Sequence, residues 1–133
     1  MKLMIVDDHA GAREMIRNIL NLPGLAVCEC ASGSEALRRA TEFRPDWVTM
    51  DLQMPGQNGF QCADAFRLEC PSARVVILTS HNEPHFQQLA RTVGAAALIS
   101  KENLMALRAI LAEALNRSHS NSTSADLSSS EPV

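Results

Sequence analysis

The 133-residue chain predicts an α/β fold, a doubly wound (βα)5 sandwich around a five-stranded parallel sheet. Two observations predict it. Five short runs rich in Val, Ile, Leu and Met alternate with five stretches whose apolar residues recur at helical spacing. The runs are also continuously apolar rather than alternating, as strands covered on both faces by crossover helices must be.

Residues 3–6 form the first strand, ended by Asp7-Asp8. Residues 10–21 follow as a helix with Ile16, Ile19 and Leu20 inward, and Pro23-Gly24 stops it. Residues 25–30 are a second strand, less uniformly apolar and so nearer an edge. Ser32-Gly33-Ser34-Glu35 leads into a helix that runs through Phe43, with Ala36, Leu37 and Ala40 on one side and Arg44-Pro45-Asp46 as its breaker. Residues 47–50 are the third strand, which delivers Asp51 to its tip. A turn follows, because Pro55 has no ladder donor and Gly56 can take positive φ. Residues 58–69 are a helix with Phe60, Ala63 and Phe66 inward, ended by Pro71. Residues 75–78 are the fourth strand, ending in Thr79-Ser80. Residues 84–93 are a helix closed by Gly94, and residues 96–99 a fifth strand ending in Ser100-Lys101. Residues 102–116 close the domain as a helix with Leu104, Leu107, Leu111 and Leu115 as its apolar stripe. Right-handed crossovers leave few topologies, and at this length the flavodoxin-like strand order 2-1-3-4-5 leads.

The folded domain is therefore expected over residues 1–117. Residues 118–133 hold seven serines with Asn121, Thr123 and Pro132 among them, and no period. They read as a tail that is expected to be disordered. Asn116-Arg117-Ser118 and Asn121-Ser122-Thr123 match the glycosylation pattern, and without a secretion signal both read as chance. A 46% apolar content supports a sizeable core, and a net charge of −3 with interspersed signs argues against direct nucleic-acid or membrane-surface binding. The few aromatics, Phe43, Trp47, Phe60, Phe66 and Phe86, exclude base stacking as the main business. The N-terminal apolar run is too short for a signal peptide, and no window approaches a membrane span, so a cytoplasmic location is expected. Cys28, Cys30, Cys62 and Cys70 are then reduced thiols; they lack Cys-x-x-Cys spacing or a nearby His pair, so zinc is not expected.

In an open α/β sheet, ligands bind beyond the carboxyl ends of the strands. Those tips carry Asp7-Asp8, Asp51, Thr79 and Lys101. In the predicted order Asp51 lies one strand spacing, ~4.8 Å, from the first strand on one side and from the fourth on the other. Lys101 starts two spacings away, roughly 10 Å, and its long side chain closes most of that gap. Three carboxylates this close repel, so at least one pKa should rise unless a counter-charge is present. A divalent cation removes the difficulty. With hard oxygens and no His or Cys at the strand tips themselves, Mg2+ fits best, and the backbone carbonyl of Gln53 offers one more ligand. Each position alone is more often structural: an acid at a strand tip is usually a cap, and a lysine beside acids a plain ion pair. Together they fit one chemistry, phosphoryl transfer to a carboxylate. Asp51 attacks phosphorus, Mg2+ and Lys101 offset charge on the phosphoryl oxygens, and Thr79 donates its hydroxyl to one of them.

Asp7-Asp8, Asp51-Leu52-Gln53-Met54-Pro55-Gly56 with Gly59, Leu78-Thr79-Ser80, Gly94-Ala95 and Ser100-Lys101 closely resemble the receiver domain of two-component response regulators, over residues 2–116. The resemblance implies that Asp51 accepts phosphate from a phosphohistidine on a histidine kinase or histidine phosphotransfer protein. It implies that Asp8, with Asp7 in support, holds Mg2+, and that Thr79 and Lys101 read out phosphorylation. Leu98 stands where the family carries a switching Tyr or Phe, and it offers no hydroxyl and less area. Gln53 and His81 match the positions that set phosphate lifetime. His9 and His85 are left as surface residues. Lys101 is followed by Glu102 where many members have Pro, which leans toward the subgroup with helix-turn-helix output domains. The last strand and the last two helices match the usual output face, for a downstream protein or a homodimer.

The function expected is thus a phosphoacceptor signalling receiver without an attached output domain, not an enzyme beyond its own phosphorylation and dephosphorylation. The receiver portion of a helix-turn-helix transcription regulator is the alternative, since the Ser-rich tail also looks like an interdomain linker. A Mg2+-dependent phosphatase ranks lower, because such enzymes add a second acid where this chain has Gln53. A degenerate receiver that works without phosphate conflicts with the intact acidic set.

Overall fold

The computed structural model describes residues 1–80 and 84–130, with side chains through Ser118. Its elements in order are β1 (Lys2–Val6), α1 (Ala10–Ile19), β2 (Ala26–Cys30), α2 (Gly33–Phe43), β3 (Trp47–Asp51), β4 (Gln53–Met54), β5 (Gln57–Asn58), α3 (Gly59–Glu69), β6 (Arg74–Thr79), α4 (Pro84–Thr92), β7 (Ala97–Ser100) and α5 (Leu104–Ser130). The main sheet has the order β2-β1-β3-β6-β7 and is parallel throughout. Setting aside the small β4–β5 pair, this is the predicted 2-1-3-4-5.

Strand alternation splits the core in two. Met4 and Val6 of β1, Val48 and Met50 of β3, Val75 and Ile77 of β6 and Leu98 of β7 pack with Ala36, Ala40, Phe60, Ala63, Phe66 and Ala90 under α2, α3 and α4. Leu3, Ile5, Trp47, Val76, Leu78 and Ile99 face the other way, against Ile16 and Leu20 at α1 and Leu104, Leu107 and Leu111 of α5. Leu115, the fourth residue of the predicted stripe, is only half-buried.

Local signals set the helix starts. Ser32 Oγ accepts from Glu35 N at 3.1 Å while Glu35 Oε2 accepts from Ala31 N at 3.0 Å, a reciprocal cap at the head of α2. Asn58 Oδ1 accepts from Phe60 N at 2.8 Å and caps α3. Among the described residues all four cysteines are free, with Cys28 and Cys30 buried. Burial, with Cys28 and Glu35 close by, pushes the Cys30 thiol up to about 12.

The structure departs from the sequence reading in two places. Gln53–Met54 pairs antiparallel with Gln57–Asn58 across Pro55-Gly56, making a hairpin where only a turn is predicted. Gly56 has φ +69°, the backbone that follows Pro in a tight turn of type II geometry. Strands of two residues leave no periodic signal. The last helix runs to Ser130 rather than ending at Asn116, into the segment read as a tail. No Gly or Pro interrupts residues 104–130, and Pro132 is the first residue that cannot continue a helix.

Thr49 lies in the middle of β3 and is 1% exposed, on the face that carries Trp47. Its hydroxyl has no hydrogen-bond partner among the described residues. A buried hydroxyl left unpaired costs about 1–3 kcal/mol, and valine has the same shape without it. Thr49→Val is expected to raise stability by about 1 kcal/mol, read as a higher urea midpoint with an unchanged slope. An unchanged or lower midpoint contradicts this.

Candidate functional site

β1, β3, β6 and β7 end together at one edge of the sheet, and each tip carries a residue singled out from the sequence. Asp7 follows β1 directly and is fully buried, Asp51 ends β3 at 4% exposure, and Thr79 ends β6 at 1%. Lys101 follows β7, and its backbone N–H donates to the Thr79 carbonyl at 2.8 Å, which continues the β6–β7 ladder into the site. Its ammonium then spans the sheet edge. Lys101 Nζ lies 3.1 Å from Asp7 Oδ2 and 3.1 Å from Asp51 Oδ1. The side chain therefore closes the whole gap to β3 and reaches β1 beyond it.

The electrostatics follow from this burial. Desolvation raises the Asp51 carboxyl above the usual carboxylate range, and the Asp7 charge adds to that rise. Hydrogen bonds from Lys101 and from the Gln53 N–H oppose the rise without cancelling it. Burial works against the Lys101 ammonium, but its hydrogen bonds and charge contacts with Asp51 and Asp7 outweigh that and hold its pKa above the ordinary lysine value.

The loop behind Asp51 is fixed by close packing. A Cβ on Gly59 would stand 2.7 Å from the Asp51 carbonyl oxygen and 2.7 Å from Leu52 Cα. The Gly59 N–H donates to the Leu52 carbonyl at 3.1 Å, and the Gln53 N–H to Asp51 Oδ1 at 3.3 Å. Gly59 is thus required by close approach of two backbones, not by a special φ. Leu98 is buried in the core at 9% exposure, with its carbonyl accepting from Gln87 Nε2 at 3.5 Å. The Gln53 side chain is exposed. His81 lies outside the described residues.

Two residues at the site were missed by sequence reasoning. His9, taken as a surface residue, places Nδ1 3.2 Å from Asp8 Oδ1 and 3.7 Å from Asp7 Oδ1. Arg13, one turn into α1, donates from Nη1 to the Asp7 carbonyl at 2.6 Å and pairs through Nε with Glu29 at 3.1 Å. Their signal was proximity to the acid pair, but which way they turn is a matter of rotamer. Asp8 is half-buried, and its Oδ1 has no hydrogen-bond partner among the described residues, since the His9 contact is close without hydrogen-bond geometry. A shielded carboxylate oxygen without a donor, beside a second carboxylate, suits a hard divalent cation.

The family model of the response regulator receiver domain matches residues 3–116. The chain belongs to the response regulator receiver family. It is 31% identical over 100 residues to sporulation initiation phosphotransferase F of Bacillus subtilis, covering 75% of this chain and 81% of that protein. It is 34% identical over 119 residues to the response regulator GacA of Pseudomonas syringae, covering 84% of this chain but 56% of the relative. Among solved structures, the chemotaxis protein CheY4 of Vibrio cholerae superposes with a TM-score of 0.76 at 30% identity, over 84% of this chain and 96% of that one. The receiver fold thus accounts for most of this chain, and this chain for about half of the longer regulators, such as the transcriptional activator ExaE at 54%. Among the described residues, no helix is long and apolar enough to cross a membrane.

Two predictions follow from this packing. Because the folded state holds the Asp51 proton more tightly than the unfolded chain, Asp51 favours folding below its unfolded pKa of about 3.9, and that contribution is lost as pH rises through the higher folded value. In metal-free buffer the non-ionising Asp51→Asn variant is therefore expected to be more stable than wild type at about pH 7, with the gap closing toward pH 3. Urea unfolding at both pH values checks the sign. Gly59→Ala is expected to lose about 1–3 kcal/mol, the cost of forcing a methyl into packed backbone, measured by the same unfolding curves.

Proposed function

We propose that this receiver is a phosphoacceptor switch in which Asp51 takes a phosphoryl group from a phosphohistidine of a histidine kinase or histidine phosphotransfer protein. One observation carries it: a single ammonium, Lys101 Nζ, lies 3.1 Å from each of two buried carboxylates of adjacent strands, at the edge where an α/β sheet binds ligands. A carboxylate oxygen of Asp51 attacks phosphorus, the P–N bond to the donor imidazole breaks, and that nitrogen is protonated as it leaves. Lys101 stays paired with Asp7 and turns its charge to the new phosphoryl oxygens. Thr79, buried one strand over, supplies a hydroxyl on the far side. Asp7, Asp8, Asp51 and the Gln53 carbonyl would hold Mg2+, which supplies positive charge to offset the phosphoryl oxygens. Leu98 and His81 stand in the readout and lifetime positions.

The output is then signalling rather than turnover of a free substrate. A cytoplasmic location and docking of a downstream protein or second copy through β7, α4 and α5 fit this reading. Residues 1–117 would be the receiver unit and 118–133 a segment outside it. A second reading has one observation behind it. The chain spans 54% and 56% of the transcriptional activator ExaE and of GacA. This receiver would then be the front part of a helix-turn-helix regulator.

Acetyl phosphate with Mg2+ tests the chemistry. Intact-mass spectra are expected to show an adduct of about 80 Da on the wild type, localised to Asp51 by borohydride trapping and peptide mapping, and none on Asp51→Asn. Chelation of the metal is expected to remove it. The same adduct on Asp51→Asn sinks the assignment.

A further inference from the structure

The strand tips hold a nitrogen donor that the phosphoacceptor reading leaves unused. His9 Nδ1, Asp7 and Asp8 place their ligand atoms within 4.8 Å of one another. We infer that His9 is a metal-ligating residue beside Asp7 and Asp8, so that this site takes borderline divalent transition ions, of the Co2+ and Ni2+ class, in preference to Mg2+. The inference rests on the proposed reading that a divalent cation occupies the strand tips, and it adds which ion and which residue.

Three features carry it. First, the separations fit. Donor atoms at about 2.1 Å from one ion stand about 3.0 Å apart at adjacent octahedral positions and about 3.4 Å apart in a tetrahedron. His9 Nδ1 stands 3.2 Å from Asp8 Oδ1 and 3.7 Å from Asp7 Oδ1, so only small rotations bring the three to one centre. Second, the two oxygens of Asp7 are divided. Lys101 takes Oδ2, while Oδ1 accepts from the His9 backbone N–H at 2.9 Å and has a second lone pair left, 3.7 Å from His9 Nδ1. Asp8 Oδ1 is shielded from solvent and has no hydrogen-bond partner among the described residues. Third, the imidazole is 75% exposed, so an ion can arrive through the ring's own open side.

The plain alternative is an exposed histidine that pairs with Asp8 only when protonated and steps aside for a cation. The two differ in metal selectivity. Imidazole nitrogen adds little for Mg2+, which prefers oxygen and retains its waters, but adds much for late first-row ions, whose affinity rises along the series to copper.

The experiment uses the full chain without an oligohistidine tag, titrated calorimetrically with MgCl2 and with NiCl2. The wild type is expected to bind Ni2+ more tightly than Mg2+ by about 100-fold or more. His9→Ala is expected to weaken Ni2+ by about tenfold or more while Mg2+ moves by less than about twofold. In the wild type, substoichiometric Ni2+ is expected to broaden the His9 ring resonances before those of His81, His85 or His119. Equal weakening of both ions in His9→Ala, unchanged Ni2+ affinity, or first broadening at another histidine overturns the inference while leaving the Mg2+ reading in place. Failure of the wild type to bind either ion overturns both.

Discussion

The Lys101 ammonium between Asp7 and Asp51 is the contact on which the carboxyl edge of the sheet depends. Two carboxylates, each almost fully buried, sit on adjacent strands with one cation 3.1 Å from both. Removing the lysine from such a buried set typically costs about 3–5 kcal/mol, because both carboxylates are left without compensation, whereas loss of the Asp51 charge leaves Lys101 paired with Asp7. The contact also fixes β7. Its last residue pairs with Thr79, and the next backbone N–H continues the ladder, so the lysine leaves the sheet at a defined place. Burial raises the Asp51 carboxyl pKa; Lys101 and the Gln53 N–H oppose that rise without cancelling it.

The surrounding elements hold the carboxylates from behind. Arg13 ties the Asp7 carbonyl to Glu29 on the neighbouring strand, so the β1 tip is anchored from α1 and β2 together. The Asp51 tip is anchored by the hairpin and by Gly59, where the chain folds back within van der Waals contact of its own backbone. Rigid tips matter because three carboxylates against one ammonium leave a surplus of negative charge. A flexible edge relieves that surplus by spreading apart; an anchored one keeps it concentrated, and a concentrated surplus is what attracts a divalent cation.

Most of this was legible in the sequence because parallel strands are written as apolar runs and their tips as the polar residues that end them. Trp47–Asp51 and Arg74–Thr79 announced themselves in that way, and right-handed crossovers then placed Asp51 beside Asp7 and Thr79. What stayed hidden depends on rotamers and on very short elements. The reach of Lys101 past β3 to β1 is set by side-chain torsions, which no spacing argument fixes. His9 turning toward Asp8, rather than outward, is of the same kind. The β4–β5 hairpin has too few residues for a period, and the continuation of α5 beyond Asn116 has no apolar stripe to announce it, only an absence of breakers. Gly59 was visible as a motif residue, but its reason, contact with the Asp51 carbonyl, needs the fold.

The position of Leu98 joins the site's last strand to the core under α4. β7 carries Leu98 into the core under α4 and leads to Lys101 in the site three residues later, and the strand is tied to α4 through the Gln87 contact to the Leu98 carbonyl. Leucine brings no ring to rotate and no hydroxyl to hide. The aromatic bulk on this side lies instead on the helices: the Phe86 ring of α4 is centred 5.8 Å from the Phe60 ring of α3. Those two rings border an open surface groove of about 320 Å³ with Leu52, Met54 and the β4–β5 hairpin, next in sequence to Asp51. Close-packed cores transmit strain because their compressibility is low. The packed connection between the site's last strand and α4 is therefore Leu98, whereas the hairpin and Phe86 meet across an open groove.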